Sequence, residues 1–302
     1  MTVTILDGGM GRELLRIGAP FEQPEWSALA LMEAPEKVLE AHRNFIAAGA
    51  DVIITNTYAV VPFHIGEERF AERGSDLVAL AGQLARQAAD ETDRPIRVAG
   101  SIPPLFGSYV PDSFRPDLAP AMYRTLVEPQ APFVDFWLPE TMSSITEATA
   151  AVDAAVTHRR VTNQVVWLSF CVPDEPSAGP VSLRSGEPIR ELVGALADRV
   201  DAFLVNCSIP ERIDEAIPEV VRAVTEIGAN ALVGAYANAF EPKQVALAAN
   251  SGISHDRVDL TPDIYADVAD HWVELGASIV GGCCGIYPDH ITELATRRSN
   301  QT

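Results

Sequence analysis

The sequence predicts an α/β fold of the (β/α)8 TIM-barrel class, and three observations lead there. Eight short β-branched or apolar runs punctuate the 302 residues. Amphipathic segments of helical period lie between them. The runs are continuously apolar rather than alternating, as strands are in a parallel sheet covered on both faces. Eight β-then-α repeats over this length suit a barrel better than an open doubly wound sheet. A Rossmann-like alternative lacks its phosphate signature, because no G-x-G-x-x-G follows the first run.

In chain order the runs are VTIL (3–6), DVIITN (51–56), IRVAGS (96–101), FVDFWL (133–138), VVWLSF (165–170), AFLVN (202–206), ALVGAY (231–236) and SIVGG (278–282). Between the first two, residues 35–50 place Val38, Leu39, His42, Phe45 and Ile46 at spacings of three and four, one face of a helix. The segments SDLVALAGQLARQAADE, SITEATAAVDAAVTH, IRELVGALADRV, RIDEAIPEVVRAVTEIG and YADVADHWVELGA read the same way. Pro- and Gly-rich stretches at 101–120 and 171–188 read as extended loops after the third and fifth runs. With no interdomain linker or low-complexity tract in view, residues 1–302 are expected to form a single domain.

An apolar fraction of 47% with 21% charged residues is that of a globular chain able to bury a full core. A formal charge of −20 argues against nucleic acid or an anionic membrane as partner, since both would be repelled. The N-terminus has neither a basic segment nor a long apolar stretch, and no run approaches the roughly 20 apolar residues of a membrane span. A reducing, cytoplasmic setting is therefore expected, where four cysteines lean towards metal binding or catalysis rather than disulfides. A monomer or homodimer is expected.

In such a barrel the chemistry sits just after the strands. The positions that follow the runs are Asp7-Gly8-Gly9, Asn56-Thr57-Tyr58, GSIPPLFGSY, Glu140-Thr141, Cys207-Ser208, Asn238 and Cys283-Cys284. The cysteines decide most. Cys207 closes the sixth run; Cys283 and Cys284 close the eighth, between glycines that free the backbone. Three thiolates are a soft ligand set for Zn2+ that leaves a fourth position open. Each alone could be a small buried apolar residue; at two strand ends together they point to a metal. A thiolate-rich zinc stabilises a further bound thiol as thiolate, so sulfur alkylation is the favoured chemistry. Asp7 and Glu140 are placed to hold a substrate ammonium, against the plainer readings of a helix cap and a first-turn acid. Cys171 reads as a spectator, and His64 and His290 as structural. Asn56 and Tyr58 are candidates for a resting fourth ligand by location.

These residues carry a resemblance. From LDGGMGREL through GADVIITNTY, LPETMSSITEA and FLVNCSIPE to GGCCGIYPDHI, nearly the whole chain resembles the homocysteine S-methyltransferase family. The resemblance implies that Cys207, Cys283 and Cys284 are zinc ligands, that Asp7, the Gly8 backbone and Glu140 contact the amino-acid end of homocysteine, and that Thr57 and Asn238 lie on the rim. It also implies homocysteine and a methyl donor as small-molecule substrates, and methionine as product. Members using cobalamin carry further modules, and betaine users a longer C-terminal arm. Donors of the sulfonium type, S-methylmethionine or S-adenosylmethionine, are therefore expected. The third loop departs from the family: GSIPPLFGSY stands where a GSxGPYG-like turn is usual, so Pro103, Pro104, Leu105 and Phe106 reshape that rim. The rival readings are a dithiol oxidoreductase using Cys283 and Cys284, and a non-catalytic zinc- and thiol-binding barrel.

Overall fold

The structure is a computed structural model, and it describes residues 3–159, 164–176, 179–242 and 255–300. Eight strands run in the expected order: β1 (Thr4–Ile5), β2 (Val52–Ile54), β3 (Arg97–Ile102), β4 (Phe136–Pro139), β5 (Trp167–Phe170), β6 (Ala202–Asn206), β7 (Leu232–Ala237) and β8 (Ile279–Gly282). Helices α1 (Met10–Arg16), α2 (Ser27–Glu33) and α3 (Pro35–Ala47) follow β1, and α4 (Pro62–Ile65) and α5 (Glu67–Asp90) follow β2. Then come α6 (Ala119–Val127), α7 (Ile145–Thr157), α8 (Ile189–Leu196), α9 (Pro210–Ile227), α10 (Pro262–Glu274) and α11 (Pro288–Asn300), one after each remaining strand.

All strand pairs are parallel. The ladder divides into a five-stranded sheet, β1-β8-β7-β6-β5, and a three-stranded sheet, β2-β3-β4. Isolated parallel bridges join the two at both edges: Leu6 to Val52 between β1 and β2, and Trp137 to Val166 and Met142 to Phe170 between β4 and β5. The strand order is thus cyclic, but the ladder is continuous only within each sheet. Leu6, Val52, Ala99, Phe136, Leu138, Trp167, Leu204, Tyr236 and Ile279 form a buried inner cluster, separate from the larger apolar layer between strands and helices. The Arg97 guanidinium lies over the Phe136 ring at 4.2 Å and near Trp167 at 5.1 Å, so a cation rather than an aliphatic side chain covers that end of the inner cluster.

Three even-numbered strands begin with the same device. Asp51, Asp135 and Asp201 each accept the backbone N–H of a residue at the preceding odd strand: Ile5 at 2.9 Å, Val98 at 2.7 Å and Val166 at 2.8 Å. Arginines neutralise two of them, Arg94 and Arg298 on Asp51 and Arg86 on Asp135. The fourth run differs from its expected extent. Ala131–Phe133 forms a 3-10 turn containing Pro132, whose ring lacks the N–H a ladder needs, so Phe133 stays outside β4.

Candidate functional site

The site is assembled at the C-terminal ends of β1, β4, β6 and β8. The Sγ atoms of Cys207, Cys283 and Cys284 all lie within 4.8 Å of one another, and those of Cys207 and Cys284 are 4.0 Å apart. Tetrahedral Zn–S bonds of about 2.3 Å put sulfurs about 3.8 Å apart, so the triangle fits a single ion with little adjustment. Its charge balance agrees. The Cys283 thiol is pushed well above its ordinary range, first by hydrogen bonds with the Cys207 and Cys284 sulfurs and then by burial. Three thiolates in this space require a cation.

The backbone explains how neighbours converge. A side chain on Gly281 would strike Leu6 at 2.4 Å, and one on Gly282 would strike Ile286 at 2.2 Å, so both glycines permit close contact with β1 and with the turn before α11. Gly285 has a φ of 79°, which turns the chain back after the cysteine pair. Cys207 takes a φ of 50° without being glycine, as do Thr141 at 61°, Tyr109 at 70° and Trp26 at 49°. Such strain persists where the surroundings enforce it. Asn206 supplies that enforcement for Thr141: its Oδ1 accepts the Thr141 N–H at 3.0 Å, and its Nδ2 donates to Thr141 Oγ1 at 2.8 Å.

Two carboxylates are buried in the same region. Asp7 is 2% exposed; its Oδ2 accepts the Ile54 N–H at 2.8 Å, while Oδ1 is covered and accepts no hydrogen bond among the described residues. Burial raises its pKa well above the usual carboxylate range, and the Glu140 charge adds to this. Glu140 accepts Ser101 Oγ–H at 2.5 Å and Tyr236 O–H at 3.3 Å. Burial pushes it up to about 7. A pair of desolvated acids, one with a spare oxygen, is a receptor for a cation.

The remaining expected residues lie beside this centre with their polar atoms engaged. Thr57 Oγ1 donates to the Ser101 carbonyl at 2.9 Å. Asn238 Nδ2 donates to the Cys207 carbonyl at 2.8 Å while its Oδ1 accepts the Phe240 N–H at 3.0 Å. Gly8 has no room for a side chain, which would lie 2.4 Å from the Ile286 carbonyl oxygen. Asn56 donates to the Ser27 carbonyl at 3.1 Å, and Tyr58 shares a 2.6 Å hydrogen bond with Ser108. His64 and His290 bond to backbone groups through their rings, at Pro24 and at Leu260 and Tyr287. Cys171 is buried against Ser143 and the Thr141 and Met142 carbonyls, with its pKa pushed up to about 11 by burial.

Tyr109 is the site residue that sequence reasoning missed. Its hydroxyl donates to Cys207 Sγ at 2.9 Å, from the same loop whose Pro-Pro-Leu-Phe stretch drew notice. Its position after Gly107-Ser108 gave one signal, since glycine allows the sharp turn, but nothing local shows that the ring folds inward.

A parallel eight-stranded β/α scaffold with three cysteine sulfurs close enough to hold one metal ion, and buried acids at its strand ends, defines a class of β/α proteins with a metal-capable thiol site. The comparisons with known proteins narrow that class. The homocysteine S-methyltransferase family model matches residues 4–298, and the chain belongs to that family. It is 28% identical to homocysteine S-methyltransferase of Escherichia coli (strain K12), covering 98% of this chain and 95% of that protein. It is 27% identical to a selenocysteine methyltransferase of Astragalus bisulcatus, over 95% and 90% of the two chains. The metallated form of the E. coli homocysteine methyltransferase MmuM superposes with a TM-score of 0.76 at 26% identity, covering 98% of this chain and 96% of that one. The protein is thus an enzyme of the homocysteine S-methyltransferase type. Among the described residues, no helix is long and apolar enough to cross a membrane.

Proposed function

We propose that residues 1–302 form one catalytic unit that transfers a methyl group from a sulfonium donor, S-methylmethionine or S-adenosylmethionine, to homocysteine, giving methionine. The observation that carries this reading is the three-sulfur triangle beside two buried carboxylates. Cys207, Cys283 and Cys284 are assigned as ligands of Zn2+, which when bound supplies a positive charge that keeps an added thiol ionised. Asp7 Oδ1, which accepts no bond from the described residues, receives the substrate ammonium. Glu140, fixed by Ser101 and Tyr236, faces the same charge, and the arriving ammonium favours its ionised form. The Gly8 backbone is assigned to the amino-acid end of the substrate. Thr57 and Asn238 brace the Ser101 and Cys207 carbonyls from the rim.

In the transfer the homocysteine sulfur forms the new S–CH3 bond as the donor's sulfonium C–S bond breaks. The bonding pair stays on the donor sulfur, which departs as a neutral thioether. The likeness to a selenocysteine methyltransferase supports acceptance of selenols as well. Four cysteines, with the three ligands among them unbridged, suit the reducing cytoplasm.

Metal analysis combined with methionine formation from homocysteine and a panel of donors tests the reading. We expect about one zinc per chain, retained through gel filtration, and loss of metal and activity together in Cys207→Ala and Cys283→Ala. Folded, metal-free protein with full transferase activity would overturn the assignment. Thiol-dependent redox turnover insensitive to chelators would favour the dithiol reading, and zinc with homocysteine binding but no methionine from any donor the non-catalytic one.

A further inference from the structure

The loop between β5 and α8 brings a buried cation next to the cysteine cluster. The Arg184 guanidinium carbon lies 4.5 Å over the ring of Tyr109, the residue whose hydroxyl reaches Cys207 Sγ. The side chain is 11% exposed, and its ion-pair partner is Asp174, with Oδ1 3.7 Å from Nη2, beyond hydrogen-bond reach. That same carboxylate oxygen accepts the Ile209 N–H at 3.3 Å. Arg184 Nε and Nη2 are covered, and among the described residues neither has a nitrogen or oxygen acceptor; the uncharged, buried Cys171 thiol is the group beside the guanidinium. These two nitrogens share one edge of the guanidinium, and their parallel N–H bonds match the two oxygens of a carboxylate. Leaving such an edge buried without an acceptor is costly, and the arrival of an anion relieves that cost.

We infer that Arg184 is a carboxylate-binding residue, and that Nε and Nη2 take the α-carboxylate of the methyl donor while Tyr109 supports the guanidinium from below. The inference rests on the transferase reading and specifies its second substrate as a carboxylate-bearing amino acid. The choice of donor over thiol substrate follows from placement. In that reading homocysteine is held between the cysteines and Asp7 with Glu140, whereas Arg184 lies over the face of the Tyr109 ring, whose hydroxyl tip reaches Cys207, and pairs with Asp174 rather than with either acid. Local chemistry agrees. The mouth is lined by acids and thiols that would repel a carboxylate, and Arg184 offsets that repulsion beside the cluster. Arg184 belongs to a loop, so presenting its edge requires adjustment of a side chain and a turn, with no change to the strands.

The test compares Arg184→Gln and Arg184→Lys with the wild-type metal-loaded enzyme, using S-methylmethionine and its carboxamide as donors. We expect R184Q to raise KM for S-methylmethionine roughly 10- to 100-fold, the loss of a charge-assisted pair. Expected alongside are a kcat within a few-fold and an unchanged KM for homocysteine. The wild-type preference for the acid over the amide should vanish in R184Q, and R184K should restore only part of it, lacking the planar fork. A rise confined to the homocysteine KM would overturn the assignment to the donor and give the carboxylate to the thiol substrate. Equal losses with acid and amide, or a lower Tm with unchanged KM, would show Arg184 to be a structural brace and overturn the inference. Calorimetric binding of S-methylmethionine to wild type and R184Q reads the contact without turnover. If wild type makes no methionine from any donor, the transferase reading fails, while calorimetry still decides the role of Arg184.

Discussion

Asp7 and Glu140 differ in what their oxygens already accept, and that difference sets what each substitution does. Asp7→Asn can keep the Ile54 N–H on its amide oxygen but turns the spare position into a donor, which would oppose the ammonium proposed to bind there. The expected outcome is a 10- to 100-fold higher KM for homocysteine with metal content unchanged, read from steady-state kinetics and zinc analysis. Glu140 makes a prediction about pH. Its folded pKa of about 7 stands above the ordinary 4.5, so between those values the folded chain holds a proton that the unfolded chain has lost. Stability from this group is full below about 4.5 and declines as pH rises towards 7, by about 3 kcal/mol in total. In metal-free protein, urea titrations across that window should show a steeper decline for wild type than for Glu140→Gln. Glu147, raised to about 7 for the same reason, contributes equally to both proteins and cancels from the comparison. Parallel pH profiles would rule out the burial-driven shift.

The β4–β5 edge is one of the two seams where the ladder thins to isolated bridges, and Asp201 sits at one of those bridges. Val166 bridges Trp137 across the seam; its N–H goes to Asp201 Oδ2 at 2.8 Å, and its carbonyl accepts the Asp201 N–H at 2.8 Å. Asp201→Ala leaves the Val166 N–H without its acceptor. A loss of about 1–3 kcal/mol is expected from denaturant melts, with faster hydrogen exchange concentrated at Val165–Trp167. Uniform exchange throughout the sheet would argue that the seam is no weaker than the rest. The eight strands were legible because each is buried on both faces and so reads as an apolar run. Seams and strand ends were not, since Phe133 is as apolar as a strand residue, yet the adjacent Pro132 and hydrogen bonds to Gln130 and Arg86 hold it in a turn. The same holds at the site. The cysteines and acids announce themselves by type and place. Tyr109, Arg184 and the Asn206 brace on Thr141 act through long-range contacts that no local pattern encodes.

The two ends of the strand bundle have opposite electrostatics. At the N-terminal end, Asp51 and Asp135 are paired with arginines and backbone N–H groups. At the C-terminal end, Asp7 Oδ1 and the Arg184 edge accept or donate no bond to oxygen or nitrogen among the described residues, and Tyr109, Thr141 and Cys207 hold positive φ. The first end serves stability and the second gives some of it up for binding, the division expected of this fold. A ligand that completes the second end should therefore stabilise the whole chain. The cysteines follow β6 and β8, with β7 between them in the five-stranded sheet, so one ion would tie the ends of β6 and β8 together across β7. At free zinc 100-fold above its dissociation constant, linkage gives about 2.7 kcal/mol. For a chain of this size that is a rise in Tm of roughly 5 °C, which chelation should reverse. Replacing all three cysteines by alanine should abolish the response while leaving the metal-free Tm within a few degrees of wild type. A zinc-dependent rise that survives the triple replacement would locate the metal elsewhere and remove the chemical basis for the thiol site.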